Sequence, residues 1–311
     1  MASKNQTLGF DPPRFNSKDK NNNKFTAGGT VGGMVATGLS GPKRIFNGSC
    51  REAVLGLSVL NSNGDLLKFG GSVIKNVAGY DVSRLHVGAM GSLGLIIDVN
   101  LRVKPMPIYE KTLFMPANYY ELMEILDSLF SNHLPISSTS WSNDVVADFF
   151  KKEMLVLRLS GAVKSVEKAK EHVLNYKERA AIMENDTANL FWNLLRDQKF
   201  SFFNNELSDS NLWRISLPFG NSFSLFDKQT QWIEWGGALR WIRTNEDPEW
   251  VFALVKKHGG NAMIYKAGEN FSQLQDRLAT PEWIEKELHI NIKKKMDPKL
   301  IFNPGRLYSF L

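Results

Sequence analysis

From residue 97 to 104, apolar and polar side chains alternate one for one. Ile97, Val99, Leu101 and Val103 are apolar; Asp98, Asn100, Arg102 and Lys104 are polar. Successive side chains of a strand point to opposite faces, so this period predicts a half-buried strand in an antiparallel or mixed sheet, ended by Pro105. Upstream, the apolar run Val54–Leu60 meets Leu66–Phe69 through Asn61-Ser62-Asn63-Gly64. Asn-Gly tolerates positive φ, which predicts a hairpin. Asp81–Val87 predicts a short helix stopped by Gly88.

Past residue 110 the pattern predicts a strand over Glu110–Met115. A helix follows, capped by Asn118 with Glu121 as its capping-box partner, and its apolar face is Leu122, Ile125, Leu126, Leu129 and Phe130. Ile136–Trp141 and Met154–Leu159 predict strands, Ser165–Lys177 a helix with Val166, Ala169 and Val173 inward, and Ala180–Met183 a last strand. Strand–helix–strand–strand–helix–strand is the ferredoxin-like order. Farther on, Leu212–Leu217 and Trp232–Ile242 predict strands. Asp247 caps a helix with Pro248 at its first position and Gly259 beyond its end, and Thr280-Pro281 opens a helix running to about Met296.

Composition divides the chain. Fifteen of the 24 glycines lie between Gly28 and Gly94, and all eight tryptophans lie from Trp141 onward. A boundary near Pro105–Pro107 follows, giving domains 1–107 and 108–295 and a C-terminal segment 296–311. The polar tract Asn16–Lys24 cannot bury apolar surface and is expected to be a mobile loop. The fold class is α+β. A net charge of +6 with scattered lysines offers no basic stripe for nucleic acid. Lys293, Lys294 and Lys295 read as a solvated helix end. The start has no apolar core of a signal peptide, and no run of about 18 apolar residues occurs. The expected location is the cytoplasm, with a peripheral contact at the inner membrane left open.

Candidate chemistry narrows by exclusion. Cys50 is the one cysteine, so this chain's own cysteines cannot hold an iron–sulfur cluster. His86, His133, His172, His258 and His289 show no zinc spacing, so no metal is expected. No P-loop occurs, and Gly88, Gly91 and Gly94 follow a helix and precede a strand, the reverse of a Rossmann turn. Two glycine runs remain, Thr30–Gly38 and Met90–Ile96. Tight turns need glycine for structural reasons as well as for close approach to a ligand, and both readings stand.

These stretches, in order, resemble the second half of the FAD-binding domain of the vanillyl-alcohol-oxidase, or p-cresol methylhydroxylase, type. The residues that carry the resemblance are Thr30-x-Gly32-Gly33, then Gly48-Ser49-x-Arg51-x-x-Val54-Leu55-Gly56, then Lys75-Asn76-Val77-Ala78-Gly79-Tyr80-Asp81. Gly91-Ser92-Leu93-Gly94 follows, and the C-terminal Asp297-Pro298-x4-Asn303-Pro304-Gly305-Arg306 closes the set. Within that family, Gly41-Pro42-Lys43-Arg44, Phe191-Trp192-x-x-Leu195-Arg196, Leu212–Pro218 and Trp235–Trp241 resemble the FAD-binding subunits of glycolate oxidases.

The resemblance implies a partial FAD-binding domain followed by a ferredoxin-like α/β cap. It implies FAD as cofactor, a flavin-binding D-type partner, an iron–sulfur F-type partner, and oxidation of a 2-hydroxy acid to a 2-oxo acid. The other function left open is a non-catalytic structural or electron-relay subunit. Cofactor contacts are expected from Pro13, Thr30, Val31, Gly32, Gly33, Ala36, Thr37, Gly38, Gly48, Ser49, Gly91, Ser92, Gly94, Ile96 and Asn303. Asn303 reads equally as a turn residue before Pro304. Arginine holds carboxylates in a two-pronged bond, which makes Arg196 the first candidate for the substrate carboxylate, with Arg214 and Arg240 behind it; each reads also as an ordinary ion-pair arginine. Family members carry a first lobe with another phosphate loop ahead of the position of Asp11-Pro12-Pro13, so this chain alone is expected to hold FAD weakly or not at all.

Overall fold

The computed structural model describes the chain apart from residues 16, 19–24, 27, 74–79, 145–148, 177–178, 205–208, 220–225, 227 and 270–275. Lys75–Gly79 of the motif above and most of the tract Asn16–Lys24 lie outside the described residues. The chain forms two compact units. Unit 1 comprises Met1–Gly41, Gly48–Pro105 and Gln273–Leu311, and unit 2 comprises Pro42–Asn47 and Met106–Ser272.

In unit 1, β4 (Val54–Leu60) lies between β5 (Leu66–Gly70) and β6 (Leu95–Leu101) in an antiparallel sheet. Two short pairs join β1 (Gln6–Thr7) to β7 (Lys104–Pro105) and β2 (Ser17–Lys18) to β3 (Phe25–Thr26). The helices are α1 (Val31–Thr37), α3 (Cys50–Ala53), α4 (Val82–Leu85) and α10 (Trp283–Met296). Phe10, Val35, Cys50, Val54, Leu57 and Val59 form the core, with Ile96, Val99 and Leu101 packed on it. Burial pushes the Cys50 thiol up to about 12, so it stays protonated and unreactive.

The alternation read from residue 97 is offset by a bulge. Ser58 pairs with Asp98 but Val59 pairs with Ile96, so Ile97 is the extra residue. It is 50% exposed, and Ile96 takes the core-facing place beside Val99 and Leu101. Pro105 does not end the pairing. It faces Gln6 in the β1–β7 pair, an edge position where a missing N–H costs nothing. The predicted hairpin forms between β4 and β5, and Asp81 caps α4.

Unit 2 is built on one eight-stranded sheet of order β11-β8-β10-β9-β13-β14-β12-β15, every neighbouring pair antiparallel. Its first half is β8 (Tyr109–Pro116), α5 (Tyr119–Ser131), β9 (Ile136–Ser142), β10 (Met154–Gly161), α6 (Val163–Tyr176) and β11 (Ala181–Met183). Numbered within that half, the spatial order is 4-1-3-2, the ferredoxin-like arrangement that the hydrophobic periods predict. Asn118 and Glu121 make the reciprocal capping box of α5, and Leu122, Ile125, Leu126 and Leu129 meet Val166, Ala169 and Val173 in one core.

The second half adds β12 (Asn211–Ser216), β13 (Thr230–Glu234), β14 (Leu239–Thr244) and β15 (Asn261–Lys266), with α2 (Arg44–Asn47), α7 (Asn185–Arg196), α8 (Ser201–Asn204) and α9 (Pro248–Lys257). The single strand expected over Trp232–Ile242 is two strands. The chain reverses at Trp235-Gly236-Gly237, with φ of 56°, 64° and 97°, and β13 and β14 pair as a hairpin. Alternation alone cannot show such a reversal, because the apolar pattern continues through the glycines. The helix expected from Thr280-Pro281 begins at Trp283.

Candidate cofactor and anion sites

Thr30 caps α1. Its Oγ1 accepts from the Gly33 N–H at 2.9 Å, its carbonyl accepts from Met34 N–H at 2.9 Å, and Gly38 closes the helix in the left-handed region at φ 62°. The glycine turn expected through this run is therefore a two-turn helix: a good N-cap and a glycine C-cap flank seven residues without proline. This changes which amides can serve a ligand. The Gly33 N–H is spent on Thr30, whereas Val31 and Gly32 stand in the first turn, where N–H groups have no intrahelical acceptor. Ala36 and Thr37 are at the opposite end. The Ala36 carbonyl accepts from Met90 N–H at 2.8 Å, and Thr37 donates its hydroxyl to Gly33 O at 2.9 Å.

The second glycine run folds directly onto α1. Gly88 N–H donates to Val35 O at 3.2 Å, beside the Met90 bond. Gly94 is explained by packing, since a Cβ there would sit 2.4 Å from Val59 Cγ1. Ser92 is buried and donates its hydroxyl to Ala89 O at 2.7 Å. Ile96 pairs with Val59, and its carbonyl lies 3.5 Å from where a Gly32 Cβ would be. Gly48 and Ser49 have structural reasons of their own: Ser49 caps α3 in a capping box with Glu52, and Gly48 stands in the left-handed region at φ 88°. Pro13 is half-buried.

The C-terminal segment reaches the same turn. Asn303 donates Nδ2–H to Met90 O at 2.7 Å, and that Nδ2 lies 3.0 Å from the Cβ position of Gly91. A buried ion pair holds it there. Lys293 Nζ donates to Asp297 Oδ2 at 2.8 Å, to Ser92 O at 2.7 Å and to Phe302 O at 2.7 Å. Asp297 in turn accepts from Ile301 N–H and Phe302 N–H. The two side chains are 2% and 0% exposed. Lys293 is thus no solvated helix end. Its four-residue spacing from Asp297 was the available signal. The anchor also explains why unit 1 takes in Gln273–Leu311 with all of α10, where the sequence reading began the return at residue 296.

The three candidate arginines all lie in unit 2, in different settings. Arg196 ends α7 and forms a two-pronged pair with the adjacent Asp197, Nε to Oδ1 and Nη2 to Oδ2 both at 2.8 Å, at about 10% side-chain exposure. Its fork is already filled by a carboxylate. Arg240 is buried and donates to the Tyr119 hydroxyl at 3.2 Å. Arg214, on β12, lies with its guanidinium carbon 5.3 Å from the Trp235 ring and 5.8 Å from the Trp241 ring. Arg44 lies 4.6 Å from the same Trp235 ring. Burial, and next the positive charge of Arg44, pull Arg214 down to about 10. A further arginine, the buried Arg158, donates to Ser138 Oγ at 2.7 Å and stacks 4.6 Å from Trp192, a use of the serine-rich β9 that periodicity could not reveal.

No family model matches the chain. Solved structures share its architecture. An alkyldihydroxyacetonephosphate synthase superposes with a TM-score of 0.63 at 17% identity, covering 98% of this chain and 62% of that one. A p-cresol methylhydroxylase superposes at 0.62 and 17%, covering 90% and 69%. The fold is that of p-cresol methylhydroxylase-type proteins. In sequence, the chain is 34% identical over an alignment of 313 residues to the glycolate oxidase subunit GlcE of Escherichia coli (strain K12), covering all of this chain and 78% of that protein. Over 84 residues it is 39% identical to the glycolate oxidase subunit GlcD of Bacillus subtilis (strain 168), 27% of this chain and 18% of that one. The chain belongs to the GlcE family of glycolate oxidase subunits.

Proposed function

We propose that the chain is an FAD-binding subunit of a complex that oxidises a small 2-hydroxy acid, glycolate first, to the 2-oxo acid. One observation carries the reading beyond family membership: Asn303 of the C-terminal signature is seated on the Met90–Gly91 turn, and that turn is seated on α1. Three of the family's motifs, the Thr30–Gly38 run, the Met90–Gly94 run and the C-terminal signature, thereby meet in one piece of unit 1. Val31 is exposed and Gly32 carries no side chain, so the open first turn of α1 suits an anionic pyrophosphate, which needs N–H donors and close approach. FAD would supply the two-electron acceptor for the hydroxy acid. This chain's residues would hold it through the amides of Val31 and Gly32, with Asn303, fixed by Met90, toward the other end of α1. No helix among the described residues is long and apolar enough to cross a membrane. The electrons would pass to a flavin-binding D-type partner and an iron–sulfur F-type partner.

The test is assembly with those partners, followed by glycolate oxidation with an artificial electron acceptor. Glycolate turnover is expected in the full complex, and turnover that persists undiminished when this chain is left out would support a structural or relay role instead.

A further inference from the structure

We propose that Lys293 is a positioning residue of the cofactor site: through the carbonyls of Ser92 and Phe302 its ammonium sets Asn303 on the Met90–Gly91 turn, and so governs how tightly FAD is held. An ammonium has three N–H donors and no acceptor. Lys293 spends them on Asp297 Oδ2 at 2.8 Å and on the carbonyls of Ser92 and Phe302 at 2.7 Å each. The two carbonyls belong to different segments, the glycine turn and the C-terminal loop, and α10 supplies the lysine. Phe302 is gripped on both sides, because its N–H donates to Asp297 Oδ2 at 2.9 Å while its carbonyl accepts from Lys293. That carbonyl belongs to the peptide unit that leads into Asn303. The ammonium therefore fixes both chain segments at the root of the 2.7 Å bond between Asn303 Nδ2 and Met90 O.

The backbone that meets here is not relaxed. Met90, Gly91 and Asn303 stand in the left-handed region, at φ 52°, 69° and 42°. Glycine adopts it readily and asparagine visits it, whereas methionine does so at a cost. A Cβ at Gly91 would lie 3.0 Å from Asn303 Nδ2, so the amide sits close over the bare turn. Such conformations persist where the surroundings over-determine them, and they gather at ligand clamps. A buried ion pair adds little net stability over apolar residues of similar volume, so orienting two carbonyls is what sets this pair apart. What it presents is the edge of Asn303: the residue is exposed, and its Oδ1 makes no hydrogen bond with any described residue. Met90 N–H ties the turn to Ala36 O near the C-terminal end of α1. The seven residues of α1 span about 10 Å at about 1.5 Å each, so Asn303 serves a part of the cofactor away from the pyrophosphate at the Val31 and Gly32 amides. The positioning follows from unit 1; its tie to FAD rests on the function proposed above.

Two measurements test it. Lys293→Met with Asp297→Asn removes both charges and keeps an oxygen for the Ile301 and Phe302 N–H groups. In the full chain, the NMR resonance of the Asn303 side-chain amide reports its bond to Met90 and is expected to move in this double variant. In the complex assembled with the D-type partner, FAD titrated back into this chain's site after stripping gives a dissociation constant. It is expected to weaken about tenfold in the double variant, the scale of one lost hydrogen bond, and about tenfold in Asn303→Ala. Combining all three substitutions is expected to weaken it no further, as befits residues that act through one another. Lys293→Arg keeps the charge but not the compact three-donor head; it is expected to shift both readouts and serves if the double variant does not fold. An unmoved Asn303 resonance in a folded variant, or additive losses of FAD affinity, would overturn the positioning role. A wild-type complex with no FAD beyond the partner's own, in a chain whose Asn303 resonance still responds to Lys293, would overturn the tie to FAD and place the fault in the flavin reading.

Discussion

Asp297→Ala is expected to destabilise unit 1 by about 3–5 kcal/mol, the usual cost of removing one member of a buried ion pair. The substitution leaves the Lys293 ammonium buried among carbonyls with no countercharge and takes the acceptor from two backbone N–H groups. Removing both charges together, in Lys293→Met with Asp297→Ala, is expected to cost less than the single change, because no buried charge is left alone. Urea unfolding followed by circular dichroism measures this; a single variant within about 1 kcal/mol of wild type would remove the anchor from the account. The same pair sets an acid limit. Burial by itself would raise the Asp297 carboxyl, but the Lys293 hydrogen bond and the Phe302 and Ile301 amides outweigh it and hold the group below its ordinary value. A depressed folded value means that the stability is fully present above the unfolded aspartate value of about 3.9 and is lost as pH falls through the folded one. Wild type should therefore lose stability on acidification below about pH 4 more steeply than Asp297→Ala does.

Gly33→Val is expected to reduce retained FAD in the assembled complex to about a tenth or less while leaving the fold intact. A Cβ at Gly33 meets only Thr30 Oγ1, at 3.2 Å, and no positive φ is needed there. Valine costs a helix no more than glycine does, so unit 1 has no reason to unfold. What changes is the surface at the start of α1, where a branched side chain would stand beside the Val31 and Gly32 amides that a pyrophosphate must approach. Gly32→Ala should be milder, since its Cβ would lie at ordinary contact distance, 3.5 Å, from Ile96 O. Flavin absorbance after gel filtration, with circular dichroism as the folding control, reads the effect. Full flavin content in a folded Gly33→Val complex would exclude α1 as the cofactor helix.

Much of unit 2 was legible because its periods are local. The Asn118–Glu121 capping box and the inward faces of α5 and α6 are set by spacing within one element, and together they dictate the β8–β11 order. What escaped depends on pairing between distant residues. The bulge that exposes Ile97 is visible only against Ser58 and Val59 on β4. The burial of Lys293 requires Ser92, some two hundred positions away, as an acceptor. Thr30–Gly38 read as a turn because glycine-rich composition hid a threonine cap and a left-handed glycine at helical separation. Arg196 matched a motif, but the carboxylate of its neighbour Asp197, which the motif does not single out, fills its fork.

Counting flavin tests most directly whether this chain holds a flavin of its own. The D-type partner purified alone gives the baseline, and the complex assembled with this chain gives the comparison, each with flavin released by heat and identified chromatographically. The expected result is one additional FAD for each copy of this chain in the complex. A complex that contains the chain and carries no FAD beyond the partner's own would contradict the account.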